Sequence, residues 1–300
     1  MSDSATSVSD ELRGKVCLVT GATSGHGRAV AHALAARGGE LVLLGRSASK
    51  CAELQREIAE VTGRQPATLL CDLGSRAEVA RAADEFIASG RSLDVLVNNA
   101  GLVNLSRVVN EDGFEMTFAV NYLSMFALTL RLIEPLRKTA PARIVNIGSD
   151  SYKVGTLDLD NLQLERGYSV AKAYSNSKLA ILHFTLELAR RIEGTGVTAN
   201  AVDPGPVASN IGANNPGVLY SLAKPMIKYL FPSAERAART AVRVACEPGL
   251  ADVSGGYFRS LKQRARPLKE EDRALSAALW ERSVEMTGLE AEAAALPPIS

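Results

Sequence analysis

Short apolar runs alternate with longer stretches of helix-forming residues along most of the chain. The runs are rich in Val, Leu and Ile and are apolar on both faces, which is typical of strands in a parallel sheet covered by helices. The stretches between them have the composition and length of helices. The predicted strands are 16–20, 40–44, 67–70, 95–98, 143–147, 197–202 and a late one around 256–258, and the predicted helices are 28–37, 48–62, 76–88, 114–138, 174–192, 234–245 and 269–287.

This alternation predicts a single doubly wound α/β domain with a central, mostly parallel seven-stranded sheet flanked by helices. Residues 1–12 are polar and are expected to form a disordered tail. The domain is expected to span 13–262, and 263–300 to form a helical extension and tail. The extension carries the only tryptophan, Trp280, which we expect to pack against the domain rather than contact a ligand.

The first predicted strand runs into a glycine-rich turn that is followed by a helix. Gly21, Gly25 and Gly27 permit unusual backbone conformations and a close approach to a pyrophosphate. The helix that follows offers free amides and a partial positive charge to the same group. The spacing Gly-x-x-x-Gly-x-Gly differs from the simpler dinucleotide fingerprint, so a nucleotide site needs support from elsewhere in the chain.

That support comes from the end of the second predicted strand. Sites for NAD usually place an acid there for the ribose 2′-hydroxyl, whereas a 2′-phosphate calls for arginine. Arg46 stands at this end, while Glu40 begins the strand at its other end. The planar fork of an arginine can chelate a phosphate, so we expect NADP(H) to be favoured over NAD(H). A merely solubilising Arg46 is the alternative.

Two tyrosine–lysine pairs with the same spacing lie close together in the chain. Tyr174 and Lys178 are four residues apart, so on a helix they share one face and can point at the same bound molecule. A neighbouring cation favours the phenolate, and we expect Lys178 to lower the tyrosine pKa from ~10 toward the range of an acid/base catalyst. Tyr168 and Lys172 form the second pair. Gly167 precedes them, which predicts that Tyr168 lies in the approach to the helix, and we favour Tyr174.

Composition and charge narrow the class of protein without naming a function. The chain has 300 residues, is 46% hydrophobic and 22% charged, and carries a formal net charge of +1, as expected of a soluble globular protein. This balance indicates no nucleic-acid partner, and no apolar run reaches the roughly 18 residues of a transmembrane segment. The four cysteines lack short paired spacing, and His26, His32 and His183 lack ligand spacing. We therefore expect no disulfide framework, no metal site and a cytoplasmic location.

Seven motifs follow one another between about residues 13 and 258. They are Thr20-Gly21-x-x-x-Gly25-x-Gly27, Cys71-Asp72-Leu73, Asn98-Asn99-Ala100-Gly101, Asn121, Ser149, Tyr174-x-x-x-Lys178 and Asp203-Pro204-Gly205. In this order they resemble the classical short-chain dehydrogenase/reductase family, and the set is far more specific than any one member. The segments 143–147, 174–180, 184–191 and 279–283 are similar to the retinol-dehydrogenase-like branch of that family.

The resemblance implies a Rossmann fold and hydride transfer between a nicotinamide and a carbonyl or alcohol. Tyr174 would give a proton to the carbonyl oxygen in reduction and remove it in oxidation. Lys178 would bond the nicotinamide ribose, and Ser149 the substrate oxygen. Asn121 would hold a water that links Lys178 to solvent. The implied cofactor-binding residues are Gly21, Ser24, Gly25, His26, Gly27, Arg46, Asp72, Leu73, Asn98, Ala100, Gly101, Tyr174, Lys178, Pro204, Gly205 and Val207.

The chain departs from the family's usual pattern at three positions. His26 stands where an aliphatic residue is usual and changes the packing under the nicotinamide. Gly148 replaces a frequent second serine, and Ser209 a frequent threonine. Neither of these two changes removes a group proposed to transfer a proton.

The substrate is expected beyond the carboxyl ends of the strands, between the loops that follow them. These loops are 102–110, 150–173 and 208–231. Within the last, residues 218–231 have the aromatic and aliphatic composition of a lid over an apolar substrate, and a dimer contact or packing helix is the alternative. A small apolar carbonyl or alcohol is therefore expected, and retinoids, steroids, fatty carbonyls and polyketide carbonyls all fit. The resemblance also suggests a homodimer or homotetramer.

Two other functions fit the same fold. One is a non-catalytic NADP(H)-binding sensor or scaffold, and the other is reduction of a conjugated C=C bond. The presence of Asn121, Ser149, Tyr174 and Lys178 in one chain argues against a sensor. We therefore expect an NADP(H)-dependent oxidoreductase that interconverts an apolar ketone or aldehyde and its alcohol.

Overall fold

One sheet runs through the part of the chain that the computed structural model describes, residues 10–205, 233–265 and 272–297. Its strands are β1 (Val16–Thr20), β2 (Glu40–Gly45), β3 (Ala67–Leu70), β4 (Val95–Asn98), β5 (Ala142–Ile147), β6 (Val197–Asp203), β7 (Tyr257–Arg259) and β8 (Lys262–Arg264). They lie in the order β3-β2-β1-β4-β5-β6-β7-β8. All neighbouring pairs are parallel except β7 and β8. Because the winding reverses between β1 and β4, a crevice opens at their carboxyl ends.

This topology confirms the predicted doubly wound α/β domain, but the predicted count of seven strands is wrong. The eighth strand, β8, consists of Lys262, Gln263 and Arg264, and all three are exposed. It pairs antiparallel with β7 at the edge of the sheet. A strand without a buried face has no apolar pattern, so the sequence offers no signal for it.

Helices cover both faces of this sheet. α1, α2 and α8 share one apolar cluster with the sheet, around Leu34, Leu54 and Val242. α3, α5, α7 and α9 share the other, around Phe126 and Phe184. The helices are α1 (Gly25–Ala35), α2 (Ala48–Thr62), α3 (Arg76–Ala88), α4 (Met116–Phe118), α5 (Ser124–Arg131), α6 (Ile133–Lys138), α7 (Val170–Arg191), α8 (Ala234–Cys246), α9 (Arg273–Thr287) and α10 (Glu290–Ala294).

The helix predicted over 114–138 is not continuous. Ala119–Leu123 between α4 and α5 forms a turn of π-helix, and Leu132 separates α5 from α6. A π-turn inserts one extra residue into the helical repeat, which the apolar period does not reveal. Asn121 lies in this π-turn.

The C-terminal helix α9 lies on α7 and carries Trp280 into the interior. The indole ring lies 5.1 Å from the ring of Phe126 and 5.8 Å from that of Phe184, measured between centroids. Tyr122 lies in the same group of rings, and its hydroxyl is 2.7 Å from the Ser283 hydroxyl of α9. Tyr122, Phe126, Phe184 and Trp280 are referred to below as the aromatic cluster. Trp280 therefore packs against the domain, as predicted.

Several expectations concern residues outside the described parts of the chain. These are most of the tail at 1–12, the lid at 218–231, Ser209 and the cofactor contact of Val207. The domain boundaries at 12 and 262 stay predictions.

Candidate functional site

A cleft of about 1020 Å³ opens at the carboxyl ends of β1, β2, β4, β5 and β6. It brings together groups that lie far apart in the chain, from the glycine turn to the strand end at Gly205. Asn98 and Asn121 are not among its lining residues. The predicted site residues that line it are Gly21, Ser24, Gly25, His26, Gly27, Arg46, Asp72, Leu73, Ala100, Gly101, Ser149, Tyr174, Lys178, Pro204 and Gly205.

The turn after β1 folds back on itself so tightly that only glycine fits at two points. Gly21 has a φ of 62°, which L side chains rarely adopt. A Cβ on Gly27 would lie 2.3 Å from the Gly21 carbonyl oxygen and 2.2 Å from Nδ2 of Asn99. The side chain of Ser24, at the N-cap of α1, makes no capping hydrogen bond. The first-turn amides of α1 thus have no side-chain cap and can bind an anion such as a pyrophosphate.

Asn99 holds this turn against β4, a role that the sequence did not reveal. Its Nδ2 donates to the Thr20 carbonyl at 2.9 Å and to the Gly21 carbonyl at 3.3 Å. The Thr20 hydroxyl oxygen in turn accepts the backbone N–H groups of Asn99 and Ala100. The neighbouring Asn98, which the resemblance assigned to the cofactor, points into the core. Its amide donates to the Thr129 hydroxyl and to Asn146.

His26 belongs to the same network. Its Nδ1 lies 2.8 Å from Oδ1 of Asn99. Because that oxygen can only accept, the imidazole carries its proton on Nδ1. Burial lowers the pKa of His26, against a raising effect of the Asn99 bond, so the ring is neutral near pH 7. The polar ring therefore serves at this position as a neutral donor that fixes the turn.

The outer end of the cleft is basic. Arg46 lies exposed where β2 ends, and Ser47 and Lys50 line the cleft beside it. Ser47 caps α2 by accepting the backbone N–H of Lys50. Asp72, on the neighbouring strand end, turns one carboxylate oxygen to the backbone N–H of Gly74 at 2.8 Å.

Three polar side chains meet at the inner end of the cleft. Tyr174 and Lys178 extend from α7, and the lysine Nζ lies 5.6 Å from the centroid of the phenol ring. Lys178 donates to the carbonyl of Ile147, the last residue of β5, at 2.9 Å. Ser149 follows two residues later. Its hydroxyl accepts the Ser151 backbone N–H at 3.2 Å, and it also acts on the Tyr174 phenol, whose pKa it lowers. A phenol, a hydroxyl and an ammonium group thus meet at the ends of two structural elements.

The pKa of Tyr174 moves in the direction opposite to the one expected. Burial raises it, the Ser149 hydrogen bond lowers it, and the anion of Asp203 adds a further raising effect. Burial lowers the pKa of Lys178 from 10.5 to about 8. For the phenol, desolvation outweighs the effect of Ser149, and for the ammonium group it outweighs the attraction of the Asp203 anion.

Asn121 is fully buried and shapes the loop that follows β4. Its Oδ1 accepts the Leu102 backbone N–H at 2.7 Å, and its Nδ2 donates to the Leu102 carbonyl at 3.0 Å. Nδ2 also donates to the Ser177 hydroxyl, which donates to the Tyr174 carbonyl. These bonds tie the π-turn, the loop at 101–102 and α7 into one unit. The proposed water contact of Asn121 is untested.

The competing pair lies elsewhere. Tyr168 precedes α7, and its hydroxyl donates to the Asn104 carbonyl at 3.1 Å. Lys172 is exposed. Neither residue lines the cleft.

Within 10–205, 233–265 and 272–297, no group of three or more His, Cys, Asp or Glu side chains could hold a metal ion. In those segments, too, every helix is too short or too polar to cross a bilayer. The strand ends also carry Asp150, Asp203 and Arg259 into the cleft, which the sequence did not indicate as a group.

Comparison with known proteins assigns the chain to a family. The short chain dehydrogenase family model matches residues 15–217. Retinol dehydrogenase 13 from Homo sapiens is 38% identical over 294 residues, which cover 96% of this chain and 89% of that protein. A solved protein from Mycobacterium paratuberculosis superimposes with a TM-score of 0.72 and 30% identity, covering 92% of this chain and 94% of its own.

A second solved structure was determined with bound NADP. It is described as an NAD(P)-dependent gluconate 5-dehydrogenase from Beutenbergia cavernae and is 28% identical, with a TM-score of 0.68. The match covers 84% of this chain and 96% of that one. The family model, the relatives and the topology agree: the chain belongs to the short chain dehydrogenase family, in its retinol-dehydrogenase-like branch, and is an oxidoreductase.

Proposed function

We propose that the protein is an NADP(H)-dependent oxidoreductase that interconverts an apolar ketone or aldehyde and its alcohol, with Tyr174 as the general acid and base. The observation that carries this proposal is the meeting of Tyr174, Ser149 and Lys178 at the inner end of a cleft that is also lined by the glycine turn. A nicotinamide bound there supplies or accepts the hydride.

The protein's own groups would handle the proton and the developing charge. In reduction the Tyr174 hydroxyl donates its proton to the carbonyl oxygen, and in oxidation the phenolate takes it back. Ser149, which lowers the pKa of the neighbouring phenol, can donate its hydroxyl proton in a hydrogen bond to the oxygen on which negative charge develops. The raised pKa of Tyr174 keeps the phenol protonated at neutral pH, which favours the donor role.

The remaining parts of the cleft suit a dinucleotide. The first turn of α1 would hold the pyrophosphate. At the outer end, Arg46 and Lys50 provide two cations for a 2′-phosphate, which supports NADP(H) over NAD(H). The bound NADP of the Beutenbergia cavernae protein supports the same choice.

An apolar substrate suits the inner end. Leu102, Val108 and Val120 line the cleft, and Leu105, in the loop between Leu102 and Val108, is 63% exposed. The relatives' name, retinol dehydrogenase, supports an alcohol or carbonyl on a long apolar body. A cytoplasmic location and assembly into a homodimer or homotetramer are further proposals; the four unpaired cysteines support a reducing compartment.

Replacing Tyr174 by Phe tests the mechanism. The change removes one hydroxyl and keeps the ring, so we expect carbonyl reduction to fall by about 10²- to 10⁴-fold, while NADPH binding stays within about threefold of the wild type. Turnover is read from NADPH absorbance over a panel of apolar ketones, aldehydes and enones, and binding from NADPH fluorescence.

Tyr168→Phe is the matched control, since it removes the same hydroxyl outside the cleft, and it should retain full turnover. Activity of Tyr174→Phe equal to the wild type would refute the mechanism. A wild-type protein that binds NADPH and reduces no carbonyl would identify a sensor, and one that reduces only enones would identify a C=C reductase.

A further inference from the structure

A bridge of two carboxylates and one guanidinium lies at the inner end of the cleft, where β5, β6 and β7 end side by side. Arg259 is the last residue of β7 and is paired in register with Asp203, the last residue of β6. Its Nε lies 3.2 Å from Oδ2 of Asp203, a distance typical of an ion pair. Its other side reaches Asp150 in the segment after β5 and forms an ion pair with Oδ2 there. One side chain therefore spans three strand ends.

Each carboxylate in turn fixes a part of the site. Asp203 is 3% exposed, and its Oδ1 accepts the backbone N–H of Gly205 at 2.8 Å. That bond shapes the Pro204–Gly205 turn, which lines the cleft. Asp150 directly follows Ser149, and its Oδ1 accepts the Tyr257 hydroxyl at 2.7 Å. The position of the Ser149 hydroxyl therefore depends on what Asp150 is attached to.

The charges of the bridge also act on the proton-transfer groups. The Asp203 anion raises the pKa of Tyr174 and that of Lys178. Burial raises the pKa of Asp203, and Arg259 works against this rise, so the guanidinium stabilises the Asp203 anion and balances its charge. The titratable and charged groups that face the bridge are Tyr257 on β7, Tyr152 and Lys153 beside Asp150, and Tyr174 and Lys178 on α7.

We propose that Arg259 is a positioning residue of this site, which holds the Ser149 segment and the Pro204–Gly205 turn in one arrangement by bridging Asp150 and Asp203. The proposal rests on the proposed function, because it assigns Ser149 a role toward the substrate oxygen. Without the guanidinium, two carboxylates face each other across the strand ends, and the segment that carries Ser149 loses its ionic link to Asp203 and Arg259. The Tyr257 hydroxyl and the Gly148 backbone N–H still hold it to β7 and β6.

Replacing Arg259 by Gln tests this role. We expect kcat to fall about 10- to 100-fold, because a small displacement of Ser149 weakens its contact with the reacting oxygen. The KM of the substrate and the Kd of NADPH should change by less than about threefold. Arg259→Lys keeps the charge but loses the two-sided fork, so it should recover part of the lost rate.

The pH profile separates positioning from a general loss of structure. Alcohol oxidation needs the Tyr174 phenolate and therefore rises with pH. In Arg259→Gln the Asp203 anion is no longer opposed, so both neighbouring pKa values rise and the profile shifts to higher pH. A variant that is merely less stable would lose folded protein, without a shift of the profile.

Lys153 provides a matched control. It bonds the same Oδ2 of Asp150 at 2.7 Å, yet its side chain is 58% exposed and it does not line the cleft. Lys153→Ala should therefore keep kcat and the pH profile. A second variant, Asp150→Asn, cuts only the Ser149 side of the bridge and should lower kcat without the shift in pH, because Asp203 keeps its partner.

An unchanged kcat and pH profile in Arg259→Gln would overturn the proposal, and so would equal losses in Arg259→Gln and Lys153→Ala. If Arg259→Gln does not fold, an unchanged kcat in Asp150→Asn overturns it and a reduced one supports it. Refutation of the proposed function is distinguished from refutation of the Arg259 proposal, because only the former would give full activity of Tyr174→Phe.

Discussion

The inner end of the cleft and the aromatic cluster are both buried, yet they are built on opposite principles. The aromatic cluster consists of rings that contact one another at centroid distances of 5.1 to 6.3 Å. At the cleft, Lys178 and Asp203 are as buried as many core residues, but they carry charge. They are held by a few directed contacts, which are the bond of Lys178 to the Ile147 carbonyl and those of Asp203 to Gly205 and Arg259. Burial stabilises the first region, whereas in the second it costs free energy and shifts pKa values.

The largest effect should come from the aromatic cluster. Trp280→Ala removes a side chain that is 1% exposed and leaves a cavity between α5, α7 and α9, so we expect the free energy of unfolding to fall by about 3–5 kcal/mol. Urea unfolding followed by circular dichroism measures the change. The folded fraction of Trp280→Ala should bind NADPH with the affinity of the wild type. A loss of affinity without a loss of stability would contradict the contrast between the aromatic cluster and the cleft.

Replacing the buried Lys178 of the cleft should raise the free energy of unfolding, whereas replacing Trp280 lowers it. Burial lowers the pKa of Lys178 from its ordinary value of 10.5 to about 8, which corresponds to a loss of about 3 kcal/mol in the free energy of unfolding below pH 8. Lys178→Met removes this penalty and the bond to the Ile147 carbonyl, so we expect a net gain of about 2 kcal/mol at pH 7 together with a loss of turnover.

The difference in stability between the wild type and Lys178→Met should depend on pH. Below pH 8 the lysine is protonated in both states and the penalty is complete. Between pH 8 and 10.5 the folded chain releases the proton first, so the stability of the wild type should rise toward that of the variant. Urea titrations at pH 7, 9 and 10.5 measure this convergence, and a variant less stable than the wild type at pH 7 would refute it.

The smallest effect is expected at the exposed rim. Arg46→Ala should raise the Kd of NADPH about tenfold through loss of a charge-assisted contact, and leave NADH binding and stability unchanged. Arg56 is the matched control, because it is an exposed arginine on α2 that does not line the cleft. Fluorescence titration with both cofactors decides the question, and equal weakening for NADPH and NADH would argue against a 2′-phosphate contact.

Much of the fold was predictable because the apolar runs in the sequence begin and end where the buried strands do. β1, β3 and β4 begin and end at the predicted residues, as do α2 and α3. The predictions failed where the apolar pattern carries no information. β8 has no buried face, and the π-turn that holds Asn121 changes the helical repeat without changing the residue types.

The site was predictable as a set of motifs but not as a network. Motif order indicated Tyr174, Lys178 and the glycine turn, all of which line one cleft. In the pair Asn98 and Asn99, only the structure distinguishes the residue that bonds the core from the one that holds the turn. The bridge at Arg259 depends on the register of β6 and β7, and the raised pKa of Tyr174 depends on burial; neither is encoded in residue spacing.

The place of Trp280 in the chain has a consequence for biosynthesis. Every strand of the described sheet precedes this residue, so the ribosome has made the whole sheet before the indole is available. Until then the rings of Phe126 and Phe184 have no cover from α9, and an uncovered apolar surface is prone to aggregation. The nascent protein should therefore depend most on chaperones during this late interval, when the strands that form the cleft have been synthesised but α9 has not.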